Sequence, residues 1–386
     1  MHHLDLETLT HRTREVAQSV IAANAEQIDR ECSWPKAGIN ALLEAGLGGL
    51  VVPTTFGGHG QGLYALAKIC EIIGRVCPST AICFGMHSVG TSVIAANTND
   101  YQIETFLKPI ASGNHITTLS LSEPGSGVHF YLPQTRIQNA SEDAFLANGV
   151  KTFVTNGGQA DSYVISGVNT DDDLEEMSCF ILPADCAGIS WGDNWAGLGM
   201  RGNSSRTLTL NDVLINRNCL LGKEGDQIWY MFHVVAPWFL IAMAGTYLGI
   251  ANEAFDVGLN HIKSRKHSHN NRALATVPLI QHRVAELWSN LQKTQQLIFN
   301  AAQLFDHNDA SAVPLVLSSK ADIAHTVVTM VNEIMTLCGG IGYSGHNKLG
   351  KMMRDARAAH VMSPTTDILR LWVGRMLLEQ PILSDD

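Results

Sequence analysis

The spacing of apolar residues changes period twice along the chain, and this limits the possible fold more than any other feature. In the first third, Leu42, Leu43 and Leu47, then Leu63, Leu66, Ala67 and Cys70, recur at helical steps. In the middle, the runs are short and rich in β-formers: Ile116 to Leu121, Tyr163 to Val168, Cys179 to Leu182 and Thr207 to Leu210. Gly, Asn and Asp clusters separate them, as turns separate strands. The helical period then returns, and Val313 to Leu337 keeps it with few breakers. Helices, then strands, then helices predict an α+β chain of separate layers rather than βαβ units. The expected domains are residues 1–114 (helical), 115–222 (β) and 223–386 (helical bundle). No Gly-x-Gly-x-x-Gly follows a strand, so a Rossmann nucleotide site is not expected.

Charge removes further classes. Acidic residues number 36 and basic ones 26, giving a net charge of −10 with no basic run. That excludes a nucleic-acid surface or a patch for anionic membranes. Met231 to Ile250 is apolar and about one membrane span long. It contains His233 and Pro237 and continues into an amphipathic stretch through His261, so it is expected to be a buried core helix. The start, Met1 to Arg12, is polar and has no signal-peptide core. Eight cysteines without a CxxC pair read as reduced thiols, no metal site and a cytoplasmic protein.

Five stretches carry chemical signals. Ser122-Glu123-Pro124-Gly125-Ser126-Gly127 ends a strand in a turn that exposes backbone N–H groups. Lys151 to Gly158 has the Asn-Gly chemistry of a hairpin. Gly199-Met200-Arg201-Gly202 leads into a strand ending at Asn211-Asp212-Val213, and Arg201 suits a phosphate, a carboxylate or a surface ion pair. Cys338-Gly339-Gly340-Ile341-Gly342-Tyr343 ends a helix with glycines that allow close backbone approach. Arg354-Asp355-Ala356-Arg357 is followed by Ser363-Pro364-Thr365-Thr366-Asp367, with Pro364 near the start of a new helix.

In order and spacing these stretches resemble the acyl-CoA dehydrogenase superfamily over nearly the whole chain. The resemblance implies a helical domain, a β domain and a four-helix bundle, with FAD as cofactor and a homodimer or homotetramer as the assembly. It implies that Leu121, Ser122, Gly127, Phe153 and Thr155 hold the flavin from the β domain. It further implies that Arg265, Gln281, Gly339, Gly340 and Thr365 complete the FAD site, with Arg265 reaching phosphates across a subunit contact. Glu123 falls at a family glutamate that is structural.

The departures concern the base. A dehydrogenase of this kind removes the α-proton of an acyl thioester with a positioned carboxylate. Aligning Thr365 with the family's Glu-Gly-Thr places Pro364 at the Gly and Ser363 at the Glu. In a minority of members the base lies on the long apolar helix before an arginine, and there Phe239 and Leu240 stand instead. A serine accepts no proton at neutral pH without a helper. Asp367 and His360 are the nearest substitutes; Asp367 follows Ser363 by about one helical turn if both are helical and also suits the helix dipole, and His360 also suits packing. His129 stands where many members have an acidic residue, and serves flavin or substrate or simply solvent. His267 and His269 form a polar loop without a third metal ligand.

Three functions follow from these readings. The first is flavin- and O₂-dependent oxygenation of an acyl thioester, carried on CoA or a carrier protein. The second is α,β-dehydrogenation with a relocated base. The third is a non-catalytic FAD-binding subunit.

Overall fold

A computed structural model describes residues 3–170 and 176–383. Helices occupy the first part from Leu6 to Ala111, strands run from Thr117 to Leu221, and helices return from Gln227. Prolines open two of the longer helices, Pro78–Ala96 and Pro278–Asp306, at their first position, where the missing N–H costs nothing; Pro237 instead lies inside the helical run from Gln227, just after the π-helical turn Met231–Val235.

The long apolar stretch is a core element. The helical run Gln227–Ser264 is 89% buried over its most apolar window, which explains its lipid-like composition without a membrane. Its glycines let helix Leu63–Val76 lie close against it. A Cβ at Gly245 would stand 2.5 Å from the Ala67 carbonyl oxygen, and one at Gly249 2.5 Å from that of Glu71. Helices Ala312–Cys338 and Leu349–Val361 pack on the same long helix, and Thr366–Leu377 packs on Ala312–Cys338.

Among the described residues eight strands form one sheet: β1 Thr117–Ser120, β2 Arg136–Asn139, β3 Ala144–Val154, β4 Ser162–Asn169, β5 Met177–Pro183, β6 Ile189–Trp191, β7 Arg206–Asn216 and β8 Leu220–Leu221. The order is β6-β7-β3-β2-β4-β5-β8, with β1 parallel to β4 from Thr117 against Ser162. His87 ties the first helical part to this sheet. Its Nε2 lies 3.1 Å from the Gly48 carbonyl oxygen, and its Nδ1 accepts from the Thr117 N–H at 3.2 Å.

Two expectations are corrected. Lys151 to Gly158 is not a hairpin, because β3 pairs with β2 and β7 whereas β4 pairs with β1, β2 and β5. The turn docks on the helical part instead. Asn156 Nδ2 donates to the Cys83 carbonyl at 2.9 Å, and Asn156 Oδ1 accepts from Trp34 Nε1 at 2.8 Å. Ser363 and Asp367 do not share a helix: Ser363 lies between Leu349–Val361 and Thr366–Leu377.

Candidate active site

The loop after β1 is held by one carboxylate. Glu123 accepts from the Gln134 N–H (2.6 Å), the Thr135 N–H (3.1 Å), the Thr135 hydroxyl (2.6 Å) and Lys151 Nζ (2.6 Å). The side chains of Glu123 and Lys151 are 3% and 0% exposed. Burial works to raise the Glu123 carboxyl, but Lys151 and the other donors overcome it and hold it below its ordinary value. With its lone pairs committed, Glu123 is a structural anchor, in keeping with the sequence reading.

That anchor leaves the tip of the loop open. Gly125 and Gly127 have φ of +82° and +54°, and a Cβ at either would meet no atom within 4 Å. Leu121 is buried beneath the loop, and the Ser122 carbonyl accepts from the Thr152 N–H at 2.7 Å. Ser120 Oγ and Thr152 Oγ1, on the adjoining β1 and β3, are buried without a hydrogen-bond partner. One residue on, Phe153 has φ +55° and remains 68% exposed, its ring 6.3 Å from Trp195. A bulky residue held in the left-handed region and exposed is a strained feature of the kind found at binding sites. Thr155 is buried, and its carbonyl accepts from Thr118 Oγ1 at 3.0 Å.

A second open turn follows helix Ala312–Cys338. Gly339 has φ +63°, no atom lies within 4 Å of a Cβ at Gly339 or Gly340, and Tyr343 is 83% exposed. Arg265 ends the long helix and Gln281 sits in the first turn of Pro278–Asp306; both are exposed, and Gln281 Nε2 donates to the Ala275 carbonyl at 2.9 Å. Among the described residues Arg201 makes no ion pair. Its Nε and Nη2 lie 3.2 Å from Cys32 Sγ.

The segment that holds Ser363 is a loop clamped by a buried lysine. Ser363 Oγ is buried without a partner. Lys320 Nζ, fully buried, donates to the carbonyls on either side, Met362 at 2.9 Å and Pro364 at 2.7 Å. Tyr247 donates its hydroxyl to Met362 Sδ at 3.2 Å. His360 Nδ1 lies 3.1 Å from Thr366 Oγ1, and burial, then Arg357 and Lys320, keep this half-buried imidazole below its usual pKa. Thr365 is the N-cap of Thr366–Leu377, yet its side chain makes no capping bond. Asp367 is exposed on the first turn, and His129 is exposed beside Tyr131 at 5.8 Å between ring centres. At the alternative base position Phe239 is half-buried and Leu240 fully buried. Among the described residues no cluster of His, Cys, Asp or Glu could hold a metal.

The structure therefore brings the β1 loop to β3, and His360 to the Ser363 loop. It leaves Asp367 and His129 facing solvent. Lys320 was missed by sequence reading. Its signal is a lysine on the apolar stripe of a helix, in step with buried Val316, Ala324 and Val327.

Helical, β and helical layers in this order are those of a known family of oxidoreductases. Models of the acyl-CoA dehydrogenase N-terminal, middle and C-terminal domains match residues 5–114, 118–213 and 239–378. The chain belongs to the acyl-CoA dehydrogenase family. It is 27% identical over 367 residues to cyclohex-1-ene-1-carbonyl-CoA dehydrogenase of Geobacter metallireducens, covering 95% of this chain and 96% of that protein. Its fold matches butyryl-CoA dehydrogenase from Megasphaera elsdenii with a TM-score of 0.91 at 22% identity, covering 98% and 99% of the two chains. It also matches the prolyl acyl carrier protein oxidase AnaB, TM-score 0.87 at 20% identity, covering 98% and 100%. The cofactor of this enzyme family is FAD. The residues present fit it: two glycine turns open to a planar ligand, orphaned hydroxyls at Ser120 and Thr152, and the exposed Phe153 ring.

Proposed function

We propose that the chain is an FAD-dependent oxygenase of acyl thioesters, of the monooxygenase or dioxygenase type, with the acyl group carried on CoA or on a carrier protein. The observation that carries this reading is the buried, neutral hydroxyl of Ser363 where the fold ordinarily sets a carboxylate. Without a base aimed at the α-carbon, removal of a weakly acidic proton is slow. A substrate that is already acidic or enolised needs no such base. Bound FAD, once reduced by an external two-electron donor, would supply the chemistry with O₂.

The roles of individual residues follow. Leu121, Ser122, Gly127, Phe153 and Thr155 would hold the ring system, and Gly339, Gly340 and Thr365 would line the same site. Arg265 and Gln281, exposed in a single chain, would reach the cofactor of a second copy in a soluble homodimer or homotetramer. The loop at Ser363 would orient the acyl group, and half-buried Phe239 and buried Leu240 would keep water from it. The test is anaerobic. Saturated acyl-CoA thioesters should leave the flavin absorbance of the holoenzyme unchanged without O₂, and rapid anaerobic bleaching would refute the proposal.

His360 supports a second reading, α,β-dehydrogenation with a relocated base. Its ring is half-buried, tethered to Thr366 and held neutral near pH 7. In that case bleaching occurs anaerobically and is lost in His360→Gln.

A further inference from the structure

A fully buried lysine without a carboxylate partner is rare, because taking an ammonium out of water is costly. Lys320 is such a residue, on a stripe otherwise filled by Val316, Ala324 and Val327. Its hydrogen bonds go to two main-chain carbonyls, and these flank the one residue, Ser363, that stands at the substituted base position. A packing residue alone would be aliphatic here. The amine does something an aliphatic side chain cannot: it ties both sides of a loop whose hydroxyl has no other restraint.

We propose that Lys320 is a positioning residue, whose amine bridges the Met362 and Pro364 carbonyls and so sets where the Ser363 hydroxyl stands in the substrate site. The assignment rests on reading this loop as that site. Burial pushes the amine down to about 7, so the clamp changes charge in the neutral range. Charge-assisted hydrogen bonds are roughly twice as strong as neutral ones. The loop is therefore held tightly below that pH and more loosely above it. His360 on Leu349–Val361 feels the charge of Lys320 and also those of Arg357 on its own helix, Arg370 on Thr366–Leu377 and His325 on the lysine's helix, while Tyr247 on the long helix meets Met362 of the clamped loop. The variants must therefore isolate Lys320 from these groups.

Hydrogen–deuterium exchange of the full FAD-loaded chain tests this without substrate or turnover, so failure of the oxygenase reading leaves its result intact. For the peptide spanning 361–368, corrected for intrinsic exchange, protection in the native protein should fall by about tenfold between pH 6 and 8.5 as the charge-assisted bonds are lost. Lys320→Met should show the weaker, high-pH protection throughout. Lys320→Arg, permanently charged and able to donate to both carbonyls, should keep the stronger protection at every pH. His360→Gln should leave the native response in place. A pH-independent native profile, or a Lys320→Arg profile that falls in step with it, overturns the proposal. If Lys320→Met does not fold, the arginine profile decides alone.

Discussion

Glu123→Gln tests whether the carboxylate nearest the flavin loop is an anchor or a hidden base. Glu123 receives four donors, and its partner Lys151 is fully buried, with only Ser166 as further acceptor. A glutamine keeps one acceptor oxygen and turns an N–H₂ toward a donor. If its oxygen faces Thr135 and Lys151, its amide opposes the Gln134 N–H. Lys151 also loses its counter-charge. Breaking a buried pair from one side costs about 3–5 kcal/mol, a large part of the roughly 5–15 kcal/mol that holds a typical domain together. Urea unfolding of the holoenzyme should show a loss of that size with an unchanged slope, and bound FAD should fall as the loop loosens. Adding Lys151→Met should recover part of the loss, since the stranded charge is then gone. The reasoning is refuted if Glu123→Gln keeps its stability and its FAD yet abolishes turnover, because Glu123 would then be the proton acceptor.

Three further outcomes are expected. Burial pushes the Asp355 carboxyl up to about 6, so the fold prefers it protonated. Its stability contribution is complete below pH ~4 and lost as pH rises through about 6, worth about 3 kcal/mol at most, and melting temperatures of Asp355→Asn should lack that slope. Burial pushes the His87 imidazole down to about 4, so stability is complete above pH ~6.5 and falls as pH drops toward that value, again by about 3 kcal/mol; His87→Gln should be flat over this window. Trp372 packs 6.5 Å from Phe130 at the end of the flavin loop and 5.9 Å from Phe232. Trp372→Ala should cost about 3–5 kcal/mol, and the flavin-to-protein absorbance ratio should fall with it.

How much was readable in advance varied with how local the physics was. The three layers could be read because apolar period is a local property, and Gln227–Ser264 could be separated from a membrane span by its histidine and proline. The turn at Asn156 was misread because its side chain is used by Trp34 and Cys83, more than 70 residues away in sequence. Ser363 stood out only through the family resemblance; its own dipeptide with Pro364 carries no chemical signal. Asp367 looked close to it by helical spacing, but a loop intervenes. Lys320 was hidden because nothing in its neighbours foretells that two carbonyls 42 and 44 positions later will close on it.

The central claim is that this site oxygenates rather than desaturates. The direct measurement is a single turnover: the bound flavin is reduced anaerobically, then mixed with an acyl thioester and ¹⁸O₂, and the product is identified by mass. The account predicts a thioester or its fragment that carries the isotope. An unlabelled enoyl thioester, formed once O₂ has simply reoxidised the flavin to release peroxide, would contradict it.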